Sequence, residues 1–138
     1  MTTGMVFIDT NIWLYAFIRS QDQTKTQKAK ALITSNILIS VSVQVINEVC
    51  VNVLRKEKLP ETDIRDIIED FYALYHIIPA TQAQQVHASH LRQRYSISFW
   101  DGLILASALA SGTDTLFSED MQHGLRIENQ LTIVNPFR

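Results

Sequence analysis

Five short segments rich in β-branched and other apolar residues recur along the chain, and polar residues separate them. Short apolar runs bounded by polar or turn-forming residues predict strands of a sheet. The predicted strands cover residues 5–8, 37–41, 75–79, 115–117 and 131–134. The first run, MVFI, contains no polar residue, which predicts a buried strand.

Between these runs, apolar residues recur at every third or fourth position, which is the period of a helix with one buried face. The clearest stripe consists of Ile64, Ile67, Ile68, Phe71 and Leu74. Ser42 and Thr81 are suited to cap the helices that follow them, because a side-chain oxygen can accept a free N–H of the first turn. The predicted helices cover residues 10–19, 25–34, 43–56, 64–74, 82–95 and 100–111.

Strands that alternate with helices through short links predict a parallel sheet with helices on its faces. We therefore expect an α/β fold, a three-layer α/β/α sandwich with a parallel sheet of four or five strands. Residues 1–138 are expected to form a single domain. Right-handed crossovers bring the carboxyl ends of the strands to one edge, where sheets of this kind bind ligands.

The composition is that of an ordinary globular protein, with 46% apolar residues, which is enough to build a core. The formal charge of −2 does not point to a nucleic-acid binder, although a local basic patch is compatible with it. Cys50 is the only cysteine, so an intramolecular disulfide is excluded and a buried thiol is expected. No signal peptide and no membrane-spanning run are recognisable, which predicts a soluble, cytoplasmic protein.

Two acidic residues lie near predicted strand ends, Asp9 after residues 5–8 and Asp120 after residues 115–117. If the chain stays extended, Ser118 and Asp120 point to one side and Glu119 to the other. Asn11 would add a second oxygen-bearing side chain beside Asp9. As alternatives, Asp9 could serve only as a helix N-cap, and either loop acid could simply be solvated.

Asp101 opens an apolar helix and shares a face with the apolar residues three, four and seven positions further on. A helix N-terminus favours an anion by ~0.3–1 kcal/mol, which cannot offset the several kcal/mol that burying a carboxylate costs. A nearby cation would compensate, unless Asp101 leans into solvent. Glu48 lies early in the helix after the second strand. Its spacing to the polar residues at 44, 52 and 55 alone favours a solvated face.

Acids at the ends of buried segments are costly unless a cation neutralises them, and a divalent cation makes phosphodiester hydrolysis the leading hypothesis. Other chemistries find less support. His87 and His90 lack a third histidine or cysteine partner, and no serine occupies a nucleophile elbow or glycine-rich loop.

Trp13 and Trp100 lie in apolar surroundings and are predicted to be core residues. The candidate phosphate contacts, each of which is more often a solvated surface charge, are Arg19, Lys25, Lys28, Arg92 and Arg94.

Four segments in a characteristic order carry a family resemblance: FIDTN at 7–11, INE at 46–48, FWD at 99–101 and FSED at 117–120. Together they resemble the motifs of the PIN-domain nucleases, most closely the VapC-type toxins of bacterial toxin–antitoxin pairs. The resemblance covers nearly the whole chain. Each motif is weak alone, and their order and spacing make the combination specific.

The resemblance implies an endoribonuclease that depends on Mg²⁺, with Mn²⁺ as the alternative. It implies that Asp9 and Asp101 are the principal metal ligands, that Glu48 is a ligand or orients water, and that Asp120 is a second-metal or water-mediated ligand. Glu119 remains the alternative fourth acid. Asn11 and Ser118 would orient these ligands or touch phosphate. The implied partners are an RNA substrate, a cognate antitoxin protein and a second copy in a homodimer.

Three alternatives remain open from the sequence. A catalytically inactive PIN-like module could bind RNA or protein with the same fold, and its acids would be caps and surface charges. A phosphatase of the haloacid-dehalogenase type would require a second aspartate where this chain has Asn11. A DNA-directed nuclease would share the metal chemistry, and only the family resemblance favours RNA.

Overall fold

The computed structural model describes residues 4–18, 22–35 and 37–138. The strands in this part of the chain are β1 (Met5–Ile8), β2 (Leu38–Ser42), β3 (His76–Ile78), β4 (Thr115–Phe117), β5 (Arg126–Ile127) and β6 (Leu131–Val134). The helices are α1 (Thr10–Phe17), α2 (Gln23–Ile33), α3 (Val43–Glu57), α4 (Glu61–Leu74), α5 (Gln82–Tyr95) and α6 (Phe99–Ala110). The helix predicted for residues 10–19 ends at Phe17, and Arg19 lies outside the described residues.

The described strands form one sheet in the order β3-β2-β1-β4-β6-β5, and every neighbouring pair is parallel except β5 with β6. The helices flank this sheet, so the predicted α/β fold with a parallel sheet is confirmed. The sequence did not predict β5, an antiparallel edge strand of two residues. A strand that short has too few residues to display a period.

The chain reverses its direction of travel across the sheet between β1 and β4. From β1 it moves outward to β2 and β3, and it then returns to place β4 on the other side of β1. Such a reversal opens a crevice at the carboxyl ends of the two strands, because the connections leave them in opposite directions. The fold therefore predicts a ligand site beside residues 9 and 118.

The core lies on both sides of β1, and Phe7 and Ile8 are fully buried. Trp13 of α1 is also fully buried, as predicted, and it packs edge-on against Phe71 of α4 with ring centroids 5.0 Å apart. Its indole N–H donates to the carbonyl of Ile8 at 3.1 Å, which satisfies the polar atom that burial would otherwise leave unpaired. Cys50 is buried as expected.

The prediction that Trp100 is a core residue is wrong, because its side chain is 62% exposed. Helix α6 is enclosed only from Gly102 onward, and its first turn extends beyond that packing. A Cβ at Gly102 would lie 2.9 Å from Arg92 Cγ and 3.1 Å from the carbonyl oxygen of Ala88. Gly102 thus permits the close contact between α5 and α6 that fixes the position of this first turn.

Within the described residues, no helix is both long enough and apolar enough to cross a membrane.

The two predicted helix caps form as expected. Ser42 Oγ accepts the Val45 N–H at 3.3 Å, and Thr81 Oγ1 accepts the Gln84 N–H at 3.2 Å.

Candidate active site

Asp9 lies at the carboxyl end of β1, in the crevice between β1 and β4, and is 8% exposed. Its backbone N–H donates to the carbonyl of Phe117 at 3.0 Å, which continues the pairing of the two strands past β1. Its carboxylate caps α1, since Oδ1 accepts the Thr10 N–H at 2.7 Å. The N-cap role is therefore present, and the second carboxylate oxygen remains for another role.

Ser118 follows β4 and is fully buried. Its hydroxyl donates to Asp9 Oδ2 at 2.9 Å and accepts the N–H of Met121 at 3.3 Å. Its backbone N–H donates to the carbonyl of Val134 at 3.0 Å, which ties it to the end of β6. Ser118 is therefore fixed on both sides and holds the Asp9 carboxylate in one orientation.

The pKa of Asp9 is raised from 3.8 to about 6, mainly because burial disfavours the charged carboxylate. The hydrogen bonds from Thr10 and Ser118 lower the pKa of Asp9, and the negative charges of Glu48 and Asp101 raise it further. Two carboxylates from distant parts of the chain therefore act on Asp9. A carboxyl group with this combination of burial and like charges is a candidate for function.

Glu48 reaches the site from the second turn of α3. Its Oε2 accepts the Thr10 hydroxyl hydrogen at 2.6 Å, and its Oε1 accepts a hydrogen from Gln44 Nε2 at 2.9 Å. The expectation from spacing alone, a solvated polar face, is wrong for Glu48, because its side chain is half-buried and bonded to α1. Asn52, one turn on, does lie on the same face and donates to the Glu48 carbonyl at 2.8 Å.

Asp101 occupies the first turn of α6 and is half-buried. Its backbone N–H donates to Ser98 Oγ at 3.1 Å, so Ser98 caps the helix and Asp101 does not. The charge of Asp101 raises the pKa of both Asp9 and Asp120. The Asp101 carboxylate is therefore close enough to both residues for their charges to interact.

Asp120 and Glu119 have different partners, although the chain bends at both residues and does not keep the extended geometry on which the alternation depended. Asn11 Nδ2 donates to Asp120 Oδ2 at 2.5 Å. Partial burial and, after it, the charge of Glu119 raise the pKa of Asp120. Glu119 instead accepts the Tyr15 hydroxyl hydrogen at 2.8 Å and pairs with Lys25 Nζ at 2.5 Å.

The oxygen donors of these side chains are the ligand type that Mg²⁺ and Mn²⁺ prefer. A carboxylate has about four acceptor sites, and Thr10 and Ser118 occupy two sites of Asp9, which leaves room for an ion. Across residues 4–18, 22–35 and 37–138, however, no three acidic, histidine or cysteine side chains form a ready-made ligand set. An ion held here would complete its coordination with water and substrate oxygens, as Mg²⁺ commonly does.

A family model for the PIN domain matches residues 6–124. The chain belongs to the PIN-domain family. All the acids of the site fall within the matched residues, at the carboxyl edge of the PIN-domain sheet. No curated protein matches the chain significantly.

Solved structures with the same fold include toxin–antitoxin proteins. A toxin–antitoxin complex from Klebsiella pneumoniae superimposes with a TM-score of 0.70 at 20% identity, covering 95% of this chain and 97% of that one. The toxin VapC20 of Mycobacterium tuberculosis, described as cleaving the sarcin-ricin loop, gives 0.66 at 18% identity, with 83% and 91% covered. VapBC2 from Rickettsia felis, bound to a promoter DNA fragment, gives 0.64 at 23% identity, with 94% and 96% covered.

Sequence reasoning named Asn11 and Ser118 beside the acids of this PIN domain, and it missed two further residues that donate to them. Thr10 donates to both Asp9 and Glu48, and Gln44 donates to Glu48. Gln44 stands four residues before Glu48, a spacing at which helical side chains interact, so this contact had a signal in the sequence. The contact between Thr10 and Glu48 spans 38 residues and had no local signal.

Four of the five candidate phosphate contacts lie within the described residues, and the structure does not bring these four together around the acids. Lys25 pairs with Glu119, and the Arg92 guanidinium stacks on Phe99 at 4.3 Å from the ring centroid. Arg94 lies over the Tyr95 ring at 5.6 Å, while Lys28 is exposed on α2. His87 Nε2 contacts Glu128 Oε1 at 2.5 Å, so a carboxylate from another part of the chain satisfies this histidine.

Proposed function

We propose that this PIN domain is a divalent-metal-dependent endoribonuclease and the toxin of a type II toxin–antitoxin pair. The observation that carries the proposal is Asp9, a buried carboxyl group whose pKa is raised by burial and by the charges of Glu48 and Asp101. Carboxylates from α3 and α6 thus act on a residue that the sheet presents in its ligand-binding crevice. A divalent cation would relieve the repulsion among them.

In this proposal Asp9 and Asp101 are the principal ligands of a Mg²⁺ or Mn²⁺ ion. When bound, the ion supplies a Lewis acid that makes water more acidic and offsets charge on the phosphate. Glu48 would be a further ligand or would orient the attacking water. Asp120 would hold a second ion or would contact the first ion through water. The reaction needs no covalent intermediate with the protein.

The polar residues around the acids keep the carboxylates in place. Ser118 donates to Asp9, and Thr10 donates to both Asp9 and Glu48. Asn11 donates to Asp120, which keeps that side chain beside α1. Because each donor satisfies one acceptor site and leaves others free, the carboxylates stay oriented without losing their capacity to bind an ion.

The proposed partners are RNA as substrate, a cognate antitoxin protein that blocks the site, and a second copy of the chain. The support comes from the fold shared with toxin–antitoxin complexes and with a toxin described as cleaving the sarcin-ricin loop. These structures are 18–23% identical to the chain, so they support the fold directly and the partners only by analogy.

The test is to incubate the purified protein with a mixed RNA pool in Mg²⁺, in Mn²⁺ or with a chelator. Cleavage is expected in at least one metal and is expected to disappear with chelator. Asp9→Asn is expected to lower the rate at least about a hundredfold, because metal-assisted charge stabilisation is worth several kcal/mol. Asp66→Asn, which removes an exposed acid on α4, serves as the matched control and is expected to cleave normally.

Metal-dependent cleavage that survives in pure Asp9→Asn protein would refute the assignment of the site. RNA binding without cleavage in either metal would instead favour the inactive module. The inactive module is supported by the lack of a ready-made ligand set among the described residues. A parallel reaction with single-stranded DNA separates an RNase from a DNA-directed nuclease.

A further inference from the structure

A groove of about 500 Å³ is lined by Glu48, one of the acids of the candidate site. It runs between the first turns of α3, α5 and α6, and the exposed indole of Trp100 forms one of its walls. The volume lies within the range of pockets that bind small organic ligands. A large aromatic side chain that is 62% exposed next to a candidate active site is unusual for a folded protein, because its burial would be favourable.

Gln44 connects the backbone of Trp100 with the Glu48 carboxylate. Gln44 Nε2 donates to Glu48 Oε1 at 2.9 Å and lies 3.5 Å from the Trp100 carbonyl oxygen. The Phe99 ring meets the indole edge-on at 5.2 Å, and the Arg92 guanidinium stacks on Phe99. The indole therefore has an aromatic neighbour at one edge, and most of its surface is open to the groove and to solvent.

The other walls are mostly apolar, with Val43, Ile78 and Leu103 among them, and also carry amide side chains; this combination favours an uncharged, planar ligand with polar edges. The side chains of Asn47, Gln84 and Gln85 offer both amide donors and carbonyl acceptors. None of the described residues that line the groove is a lysine or arginine, and Glu48 would repel an anion. A phosphate is thus a poor occupant, whereas a nucleobase has an aromatic face for Trp100 and polar edges for the amides.

We propose that this groove binds a nucleobase of single-stranded RNA adjacent to the scissile phosphate, with the base stacked on Trp100. The amides of Gln84, Gln85 and Asn47 contact the edge of the base and give the site its sequence preference. This inference rests on the proposed ribonuclease function, because continuity of the groove with Glu48 is what favours RNA over a protein segment. It assigns Trp100 as a substrate-binding residue rather than a core residue.

The first experiment measures binding of a fluorescently labelled single-stranded RNA to the Asp9→Asn protein, which is expected to bind RNA without cleaving it. Adding Trp100→Ala is expected to weaken binding about 5- to 150-fold, the range for losing one stacked base. Trp100→Phe is expected to restore most of the affinity, because it retains a ring. Tyr72→Ala, which removes an exposed aromatic on α4 outside the groove, is the matched control and is expected to bind normally.

A second readout uses the intrinsic fluorescence of the two tryptophans. Trp13 is fully buried and Trp100 is exposed, so RNA is expected to quench the signal of the Asp9→Asn protein and not that of its Trp100→Phe variant. Gln84→Ala is expected to change the preference among homopolymeric RNAs while leaving the quenching in place. These variants alter exposed or half-buried side chains, so the fold is expected to survive.

The outcomes separate this inference from the proposed function. If the wild-type protein cleaves RNA but Trp100→Ala binds and cleaves normally, the nucleobase site is refuted and the ribonuclease stands. If RNA binding depends on Trp100 but no metal supports cleavage, the nuclease fails and the nucleobase site stands. If Trp100→Ala loses self-association in light scattering while RNA binding is unchanged, the groove is a protein interface and the proposal is overturned.

Discussion

The Ser118 hydroxyl donates a 2.9 Å hydrogen bond to Asp9 Oδ2 and joins the ends of β4 and β1 across 109 residues of sequence. Both residues are buried, and β4 lies next to β1 in the sheet. The bond therefore depends on the register of the two strands, in which Ile8 pairs with Phe117. Correct pairing of β1 with β4 therefore also orients the Asp9 carboxylate.

Removing this hydroxyl is expected to weaken the site without destroying the fold. In Ser118→Ala, Asp9 loses one donor and the Met121 N–H loses its acceptor, at a cost of about 1–3 kcal/mol of stability. Mg²⁺ affinity or activity is expected to fall about 10- to 100-fold, the usual effect of removing a group that orients a ligand. The measurement is the cleavage rate as a function of Mg²⁺ concentration. Ser89→Ala on the exposed face of α5 is the control, and an unchanged Mg²⁺ dependence of Ser118→Ala would contradict the assigned role.

The fourth acid can be identified by comparing two neighbouring substitutions. Asp120→Asn is expected to reduce cleavage, because Asp120 lies beside Asn11 and interacts with Asp101 and Glu48. Glu119→Gln is expected to leave cleavage intact and to lower stability slightly, since Glu119 is engaged by Tyr15 and Lys25. Rate constants and melting temperatures of the two variants give the answer. The opposite pattern would assign the role to Glu119.

The sequence predicted the sheet well because buried strands and helix stripes leave local patterns. Asp9 was identified as a candidate site residue from its position after an apolar run. Asp101 was identified from its position among apolar neighbours at helical spacing. Glu48 did not follow from its helix, because what distinguishes it is a hydrogen bond to Thr10 on another element. Family resemblance, rather than local physics, brought Glu48 into the site.

Trp100 shows the opposite error. Its helix was predicted correctly from the local pattern, whereas its burial in the core was predicted wrongly. The stretch from Trp100 is apolar on nearly all sides, and periodicity carries no information about where packing against other elements stops. Helix α6 is buried from Gly102 onward, where it meets α5, and its first turn is left exposed. That boundary is a property of tertiary packing, and the groove beside it was equally invisible in the sequence.

Divalent metal is expected to stabilise the folded protein measurably. An ion that binds only the native state adds about 1.4 kcal/mol at ten times its dissociation constant. For a chain of this length that corresponds to a rise in melting temperature of roughly 4–7 °C. Differential scanning fluorimetry with Mg²⁺, Mn²⁺ or chelator checks this. Asp101→Asn is expected to lose the shift and Asp66→Asn to keep it, and a wild-type protein indifferent to millimolar metal would remove the basis for the site.

Without metal, the stability of the protein is expected to carry a pH dependence that comes from Asp9. Its pKa is raised from 3.8 to about 6 in the folded state, chiefly by burial, so the folded protein holds this proton more tightly than the unfolded chain does. The resulting stabilisation is fully present below pH ~4 and is lost as pH rises through about 6. A shift of this size corresponds to ~3 kcal/mol. The pKa of Asp120 is also raised and adds a contribution of the same sign.

Asp9→Asn isolates this contribution, because asparagine keeps the shape of the side chain and cannot ionise. Urea unfolding in chelator at pH 4.5 and pH 7 is expected to show the variant gaining stability relative to the wild type as pH rises, by about 2 kcal/mol over this interval. Saturating Mg²⁺ at pH 7 is expected to reverse the difference, since only the wild type retains the Asp9 carboxylate for the ion. A pH-independent difference would mean that Asp9 is not held in the environment described, and a difference that Mg²⁺ leaves unchanged would mean that Asp9 does not bind the ion.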